Sequence, residues 1–301
     1  MSAKPSATAL LAKRPRLLIV GCGDIGLRVL RLLRGRWRIA ALSSNPQRVD
    51  ELRAAGATPL LGDLDRPETL ARLAGWADAV LHLAPPQAEG DEDRRSLALL
   101  RALARKSPPR RLVYASTTGV YGDCGGARFD ETRPVAPTTA RARRRVDAER
   151  RLRWFGAAFG CSVTILRVPG IYAADRPGGH PRERLAAGKP VLRREDDVYT
   201  NHIHAEDLAR ACVLALSRGR PQRAVHVCDD SELLMGDYFD LAADLCGLPR
   251  PPRVGRAEAA ALMTPLQLSF LSESRRLANS RLKTELRLRL RYPQPALGLL
   301  A

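Results

Sequence analysis

Lysine is scarce in this chain. It stands only at positions 4, 13, 106, 189 and 283, so arginine supplies nearly all of the 50 basic residues. Aromatic residues are also few, at 5%, and there is no zinc-finger spacing, RNA-recognition signature or long basic tail. A formal net charge of +18 would favour a polyanionic partner. The arginines, however, are spread over many helix faces as solvated charge, so nucleic-acid binding is not the expected role. An anionic cofactor and an anionic substrate account for part of the charge more economically. The six cysteines (Cys22, Cys124, Cys161, Cys212, Cys228 and Cys246) lack CxxC spacing. That argues against a disulfide framework and against a zinc site, and it fits reduced cytoplasmic thiols. No uncharged apolar run reaches membrane-spanning length, and the Thr8–Ala12 run is too short for a signal core. The expectation is a soluble, cytoplasmic protein with no metal and no membrane partner.

With 301 residues and 45% hydrophobic content, the chain can build one α/β domain and a smaller appended part. Its organising stretch is Gly21-Cys22-Gly23-Asp24-Ile25-Gly26. The continuous apolar run Leu17-Leu18-Ile19-Val20 precedes it, as in a strand buried on both faces. Ile25, Val29, Leu30, Leu32 and Leu33 follow at helical spacing. Strand, G-x-G-x-x-G, helix is the context of a dinucleotide fingerprint. The first glycine takes the tight turn, the second lets a pyrophosphate approach, and the third lets helix and strand pack closely. Gly21, Gly23, Asp24, Ile25 and Gly26 are therefore candidate cofactor residues.

Further strands read at 38–42, 58–63, 79–84, 111–116, 162–166 and 223–227, with helices between them. The alternation predicts a doubly wound parallel sheet. An acidic residue after the second strand would bind the ribose diol of NAD. Here stand Ser43 and Ser44, with Arg48 beyond, so either nicotinamide cofactor is accommodated and NADP is favoured. The plain alternative is that these residues cap the helix beginning near Pro46. Asp63 and Leu64, the loop Leu83-Ala84-Pro85, and Ser116 complete the candidate cofactor set, since ligands gather at the carboxyl ends of parallel strands. Asp65 and Glu68 read as a capping box for the next helix. His82 reads as a packed strand residue.

Several segments together resemble the extended short-chain dehydrogenases and NAD-dependent epimerase/dehydratases. They are Ser116-Thr117-Thr118-Gly119-Val120-Tyr121-Gly122, Asp130-Glu131-Thr132-Arg133-Pro134, Leu166-Arg167 through Tyr172, Asn201-His202-Ile203-His204 through Ala209, and Asn279 through Leu286. The resemblance implies an oxidoreductase in which a Ser/Thr, a Tyr and a Lys act together beside the nicotinamide. Thr117 matches the Ser/Thr. In the frame Pro137 to Glu149, the tyrosine position holds Arg141 and the lysine position holds Arg145. A guanidinium stays protonated, so using it as a base near pH 7 would cost roughly 7 kcal/mol. Arg145 can still hold the ribose, but Arg141 cannot do the tyrosine's work.

Three readings follow. Tyr121, Tyr172 or a substrate group carries the proton; or Arg141 and Arg145, one helical turn apart, clamp an anionic substrate; or the protein binds NADP without chemistry, as a regulatory or redox-sensing partner. The plain alternative is a solvated helix face, which is the expectation for Arg143 and Arg144. His202 and His204 share one face of an extended segment without an evident third metal ligand. Residues 1–14 read as a flexible tail. Residues 15–172, completed by 198–228, read as the dinucleotide domain, and 173–197 with 229–301 as a substrate lobe. That lobe holds an irregular loop at 173–197 and helices at 235–245, 256–262 and 273–286. The partner is a small molecule, and a homodimer is left open.

Overall fold

The apolar run ahead of the glycines forms β1 (Arg16–Val20) in this computed structural model, which describes residues 14–301. The expected tail, apart from Arg14, lies outside the described residues. Leu17 and Ile19 enter one hydrophobic cluster and Leu18 and Val20 another, all four fully buried. Both faces of the strand are covered, which is why its sequence is continuously apolar rather than alternating.

Six more strands join it: β2 (Arg38–Ser43), β3 (Thr58–Leu61), β4 (Ala79–His82), β5 (Arg111–Thr117), β6 (Ser162–Val168) and β7 (Arg223–His226). Their spatial order is β7-β6-β5-β4-β1-β2-β3, and every neighbouring pair is parallel. The chain winds outward from β1 in one direction and then from β4 in the other, giving the expected doubly wound α/β sheet. Its switch point, where ligands collect, lies between the carboxyl ends of β1 and β4.

Helix α1 (Asp24–Leu33) follows the glycines, and α2 (Val49–Ala54), α3 (Arg94–Ala104), α4 (Ala140–Phe159) and α5 (Ala205–Arg218) fill the later crossovers. Leu30 of α1 and Leu208 and Cys212 of α5 cover one face of the sheet. Leu99 of α3 and Leu152 and Phe155 of α4 cover the other. No helix among the described residues is long and apolar enough to cross a membrane, and all six cysteines are free thiols.

Beyond β7, α6 (Met235–Cys246) packs with Tyr172, Leu185, Val191 and Leu299 in a separate small core. Two-residue strands tie distant segments together: Val191–Leu192 pairs with Arg253–Val254, and Arg128–Phe129 with Arg276–Leu277.

Four expectations change. The stretch 273–286 is not one helix. Leu277 belongs to a short strand, and the Asn279 side chain donates to the Cys228 and Asp229 carbonyls, so helix resumes only at Ser280–Thr284. A helix absent from the sequence reading, Pro265–Leu271, starts instead at a capping box of Thr264 and Gln267. The loop 173–197 is partly regular, with a short helix at Arg182–Ala186. Finally, Asp65 and Glu68 form no cap. Asp65 pairs with Arg95, and Pro67–Leu73 is a 3₁₀ segment without a side-chain cap.

Candidate active site

The three glycines of the turn differ in what a side chain would meet. Gly21 has φ +82°, and a Cβ there would lie 2.4 Å from the Ala84 nitrogen. A Cβ at Gly26 would lie 2.9 Å from Cys22 Sγ, because α1 is seated close to the strand it follows. At Gly23 it would meet nothing within 4 Å among the described residues. The fold therefore requires the first and third glycines for its own packing, but gives no steric reason for the second. The open space beside Gly23 is what a pyrophosphate needs. Gly23 is also the N-cap of α1 and makes no side-chain cap bond, so the first N–H groups of the helix have no such partner. Asp24 binds Arg28 (2.9 Å) and Arg176 (2.6 Å), while Ile25 packs on the core. Arg28, almost fully buried, also meets Glu206 (2.6 Å) and Asp175 (2.5 Å). This network fastens the loop after Tyr172 to the start of α1.

Val20 is in register with Leu42 on one side and His82 on the other, so the loops after β1, β2 and β4 meet. The N–H groups of Leu83 and Ala84 both donate to the Val20 carbonyl (2.8 and 3.0 Å), which sets Ala84 against Gly21 and leads Pro85 towards the cleft. Arg48 Nη1 donates to the Cys22 carbonyl at 2.8 Å, placing its guanidinium on the glycine turn. Ser43 Oγ bonds the backbone of Asn45, and Ser44 is exposed. Asp63 accepts from the Asp65 N–H at 3.0 Å, with Leu64 buried beside it. His82 is a packed residue, bonded to Ser96 at 2.9 Å.

A cavity of about 710 Å³ opens over the carboxyl ends of β5 and β6, where Thr117 and Val168 are in register. Thr117 lines it, and its Oγ1 accepts from the Gly119 N–H (3.3 Å). Arg145 lines it too, donating to the Tyr114 hydroxyl (2.9 Å) and the Ala115 carbonyl (2.8 Å). Arg141, one turn earlier, lays its guanidinium 4.7 Å above the Phe270 ring. Desolvation moves the Arg141 pKa down, Glu273 opposes that shift, and the neighbouring arginines add to it.

Tyr121 is placed elsewhere. It is fully buried, with its hydroxyl shared between Arg167 Nη1 (2.5 Å) and His226 Nε2 (2.6 Å), and burial pushes its pKa up to about 12. Tyr172 is likewise buried, against His204 and Gly298, and burial raises its pKa. Neither hydroxyl lines the cavity. Ser116 also points away, its Oγ donating to Glu149 at 2.7 Å. Glu149 in turn holds Arg167 in a fully buried pair (2.7 Å). Burial works against the Arg167 charge, and Glu149 more than offsets it.

Arg144, expected in solvent, is buried and donates to the Gly90 carbonyl at 2.5 Å, because the 85–93 loop folds over α4. Residues missed from the sequence also reach the cleft, Arg184, Glu273 and Arg275, as does His202, which the sequence reading weighed only as half of a metal pair. His202 stacks on Tyr238 with ring centroids 3.9 Å apart, and burial takes its pKa down to about 3. Among the described residues no group of three or more His, Cys, Asp and Glu could hold a metal. The local sequence carries no signal for Glu273 or Arg275, which come from far along the chain.

Comparison with known proteins adds to this geometry. The family model for the NAD dependent epimerase/dehydratase family matches residues 17–228. The chain is similar to protein YeeZ of Escherichia coli, 29% identical over 247 residues that span 78% of this chain and 85% of the relative. Its fold is similar to that of a functionally unknown conserved protein from Silicibacter pomeroyi, with 34% identity, a TM-score of 0.78, and 95% and 96% of the two chains covered. It is also similar to that of the Thermotoga maritima UDP-glucose 4-epimerase solved with UDP-glucose. There the identity is 18%, the TM-score 0.77 and the coverage 94% and 96%, a likeness of fold alone.

Proposed function

The chain belongs to the NAD-dependent epimerase/dehydratase family, and we propose that it binds a nicotinamide dinucleotide at the Gly21–Gly26 turn and acts on an anionic small molecule in the adjoining cleft. The observation that carries this reading is Gly23, where the fold leaves open the space a pyrophosphate would fill. When bound, the dinucleotide would supply hydride acceptance and donation. The protein's own part is to bind, orient and handle protons. Thr117 would hydrogen-bond the reacting hydroxyl or carbonyl oxygen. Arg145, fixed by Tyr114 and Ala115, would take the charge-bearing place beside the ribose. Arg141 would grip an anionic substituent of the substrate, since a guanidinium offers paired donors and no base. A phosphate-bearing ligand of the kind bound by the Thermotoga maritima enzyme suits such a cleft.

NADP is the favoured cofactor. Ser43, Ser44 and Asn45, at the end of β2 and directly after it, carry no carboxylate to repel a 2′-phosphate, and Arg48, paired with Glu51 at 2.8 Å, lies on the glycine turn. Titration of nicotinamide fluorescence tests this. NADPH should bind more tightly than NADH, and Arg48→Ala should remove most of the difference. A preference for NADH would reverse the cofactor choice, and binding of neither would overturn the reading.

Arg141 stands where the motif would place a tyrosine, and the two tyrosines that line the cleft, Tyr199 and Tyr238, come from other segments; this favours a second reading, an NADP-holding regulatory or redox-sensing protein without chemistry. Turnover of UDP-glucose or a related phosphosugar with a change in nicotinamide absorbance would exclude that reading.

A further inference from the structure

Among the described residues six arginines line the cleft, and Glu273 is its one carboxylate. Two of the six have a carboxylate partner: Arg176 with Asp24 (2.6 Å) and Arg275 with Glu273 (2.5 Å). The others are held by neutral groups among the described residues. Arg144 donates to the Gly90 carbonyl, Arg145 to Tyr114 and Ala115, and Arg184 to the Pro190 carbonyl, while Arg141 rests on Phe270. Cations crowded into a confined cavity are costly without a counter-charge.

Glu273 follows the helix Pro265–Leu271, the segment that also carries Phe270 and Gln267 into the cleft. One carboxylate oxygen accepts from the Thr138 hydroxyl at 3.3 Å. The other accepts from Arg275 and lies 4.0 Å from the point where a Cβ on Gly119 would stand. Thr117 Oγ1 is 3.7 Å from the same point. The carboxylate and the threonine hydroxyl therefore border the same spot at Gly119, and Glu273 is close enough to Arg141 to act on its charge.

We propose that Glu273 is a tethered stand-in for an anionic group, carboxylate or phosphate, on the reacting end of the substrate, which replaces it beside Arg141 and Arg275 on binding. This deepens the reading above and rests on the cleft being the substrate site. It assigns the anion to the end of the ligand that meets Thr117. A neutral reacting end would leave Arg141 without a partner and give Glu273 no reason to leave.

The role can be separated from that of a proton carrier, which the same closeness to Thr117 would also suit. Loss of its like charge would help an anion to some extent whatever the role of Glu273; a stand-in is distinguished because its removal vacates the anion's own place, so that the gain is large and depends on Arg141. Protein saturated with NADPH, so that the dinucleotide site is filled, is titrated calorimetrically with inorganic phosphate and with malonate. Glu273→Gln should bind the better of the two at least about tenfold more tightly than the wild type, because the anion's place beside Arg141 is freed and a like charge has gone. Glu273→Ala should change in the same direction, and Arg141→Gln should lose the binding. Stronger binding of phosphate assigns a phosphate, and stronger binding of malonate a carboxylate. Equal or weaker binding by both Glu273 variants, with NADPH affinity intact, overturns the proposal. So does anion binding that survives Arg141→Gln. Failure of the wild type to bind NADPH is instead a failure of the cofactor reading, and the same anion titrations of the unliganded protein then decide the role of Glu273.

Discussion

Tyr121 holds a motif position while its hydroxyl is spent inside the protein, between Arg167 and His226. Tyr121→Phe should leave NADPH affinity unchanged and lower stability by about 1–3 kcal/mol, since both former partners stay buried with one bond fewer. Urea unfolding and the nicotinamide titration measure the two effects. Unchanged stability with altered NADPH binding would instead place this hydroxyl in the cleft. The same contrast applies to the glycines, where identical residues carry different constraints. Gly21 and Gly26 are fixed by contacts within the protein, whereas Gly23 has none to fix it.

At the scale of elements, α4 decides where the two cleft arginines stand. Glu149, one turn beyond Arg145, receives Ser116 from β5 and Arg167 from β6, both buried, and so sets the helix against the carboxyl end of the sheet. Glu149→Gln should cost about 3–5 kcal/mol in urea unfolding, the usual result of leaving a buried cation unpaired. It should also weaken NADPH binding, as Arg145 shifts. A loss below 1 kcal/mol would show that α4 is held by its apolar contacts alone. The central elements were legible in the sequence because burial on both faces writes itself as unbroken runs such as Leu17–Val20, and because glycine spacing marks the turn. The arginine run of α4 was not legible. Arg144 is buried by a carbonyl 54 residues earlier in the chain, which no local pattern reveals. The stretch 273–286 read as one helix, but Asn279 spends its side chain on the carbonyls of another segment and interrupts it. Glu273 reaches the cleft by the same long-range folding.

The whole molecule carries a pH dependence set by its buried imidazoles. Burial takes His82 and His202 down to about 3 and His226 to about 4. Their unfolded value is near 6.5, so the stability they confer as neutral groups is complete above that pH and is lost as pH falls towards the folded values. Asp229, raised to about 7 by burial, acts in the opposite sense; its contribution is present at low pH and is lost as pH rises through about 7. Each histidine should cost about 2 kcal/mol by pH 5 and Asp229 should return about as much, for a net loss of roughly 4 kcal/mol between pH 7 and 5. Urea midpoints across that range should fall; a flat profile would mean that the imidazoles are not held neutral. The charge of the whole molecule, +18, is concentrated functionally where arginines without carboxylate partners line one cleft beside one glycine turn. That both belong to a dinucleotide site is the central claim, and Gly23→Ala tests it most directly. Its backbone is extended rather than left-handed (φ −82°, ψ −152°) and its added methyl meets no atom of the described residues, so the unfolding free energy in urea should stay within about 1 kcal/mol of wild type. NADPH affinity in the same preparation should fall at least about tenfold, because the methyl occupies the space of the pyrophosphate. An alanine variant that binds NADPH as tightly as wild type would contradict the account.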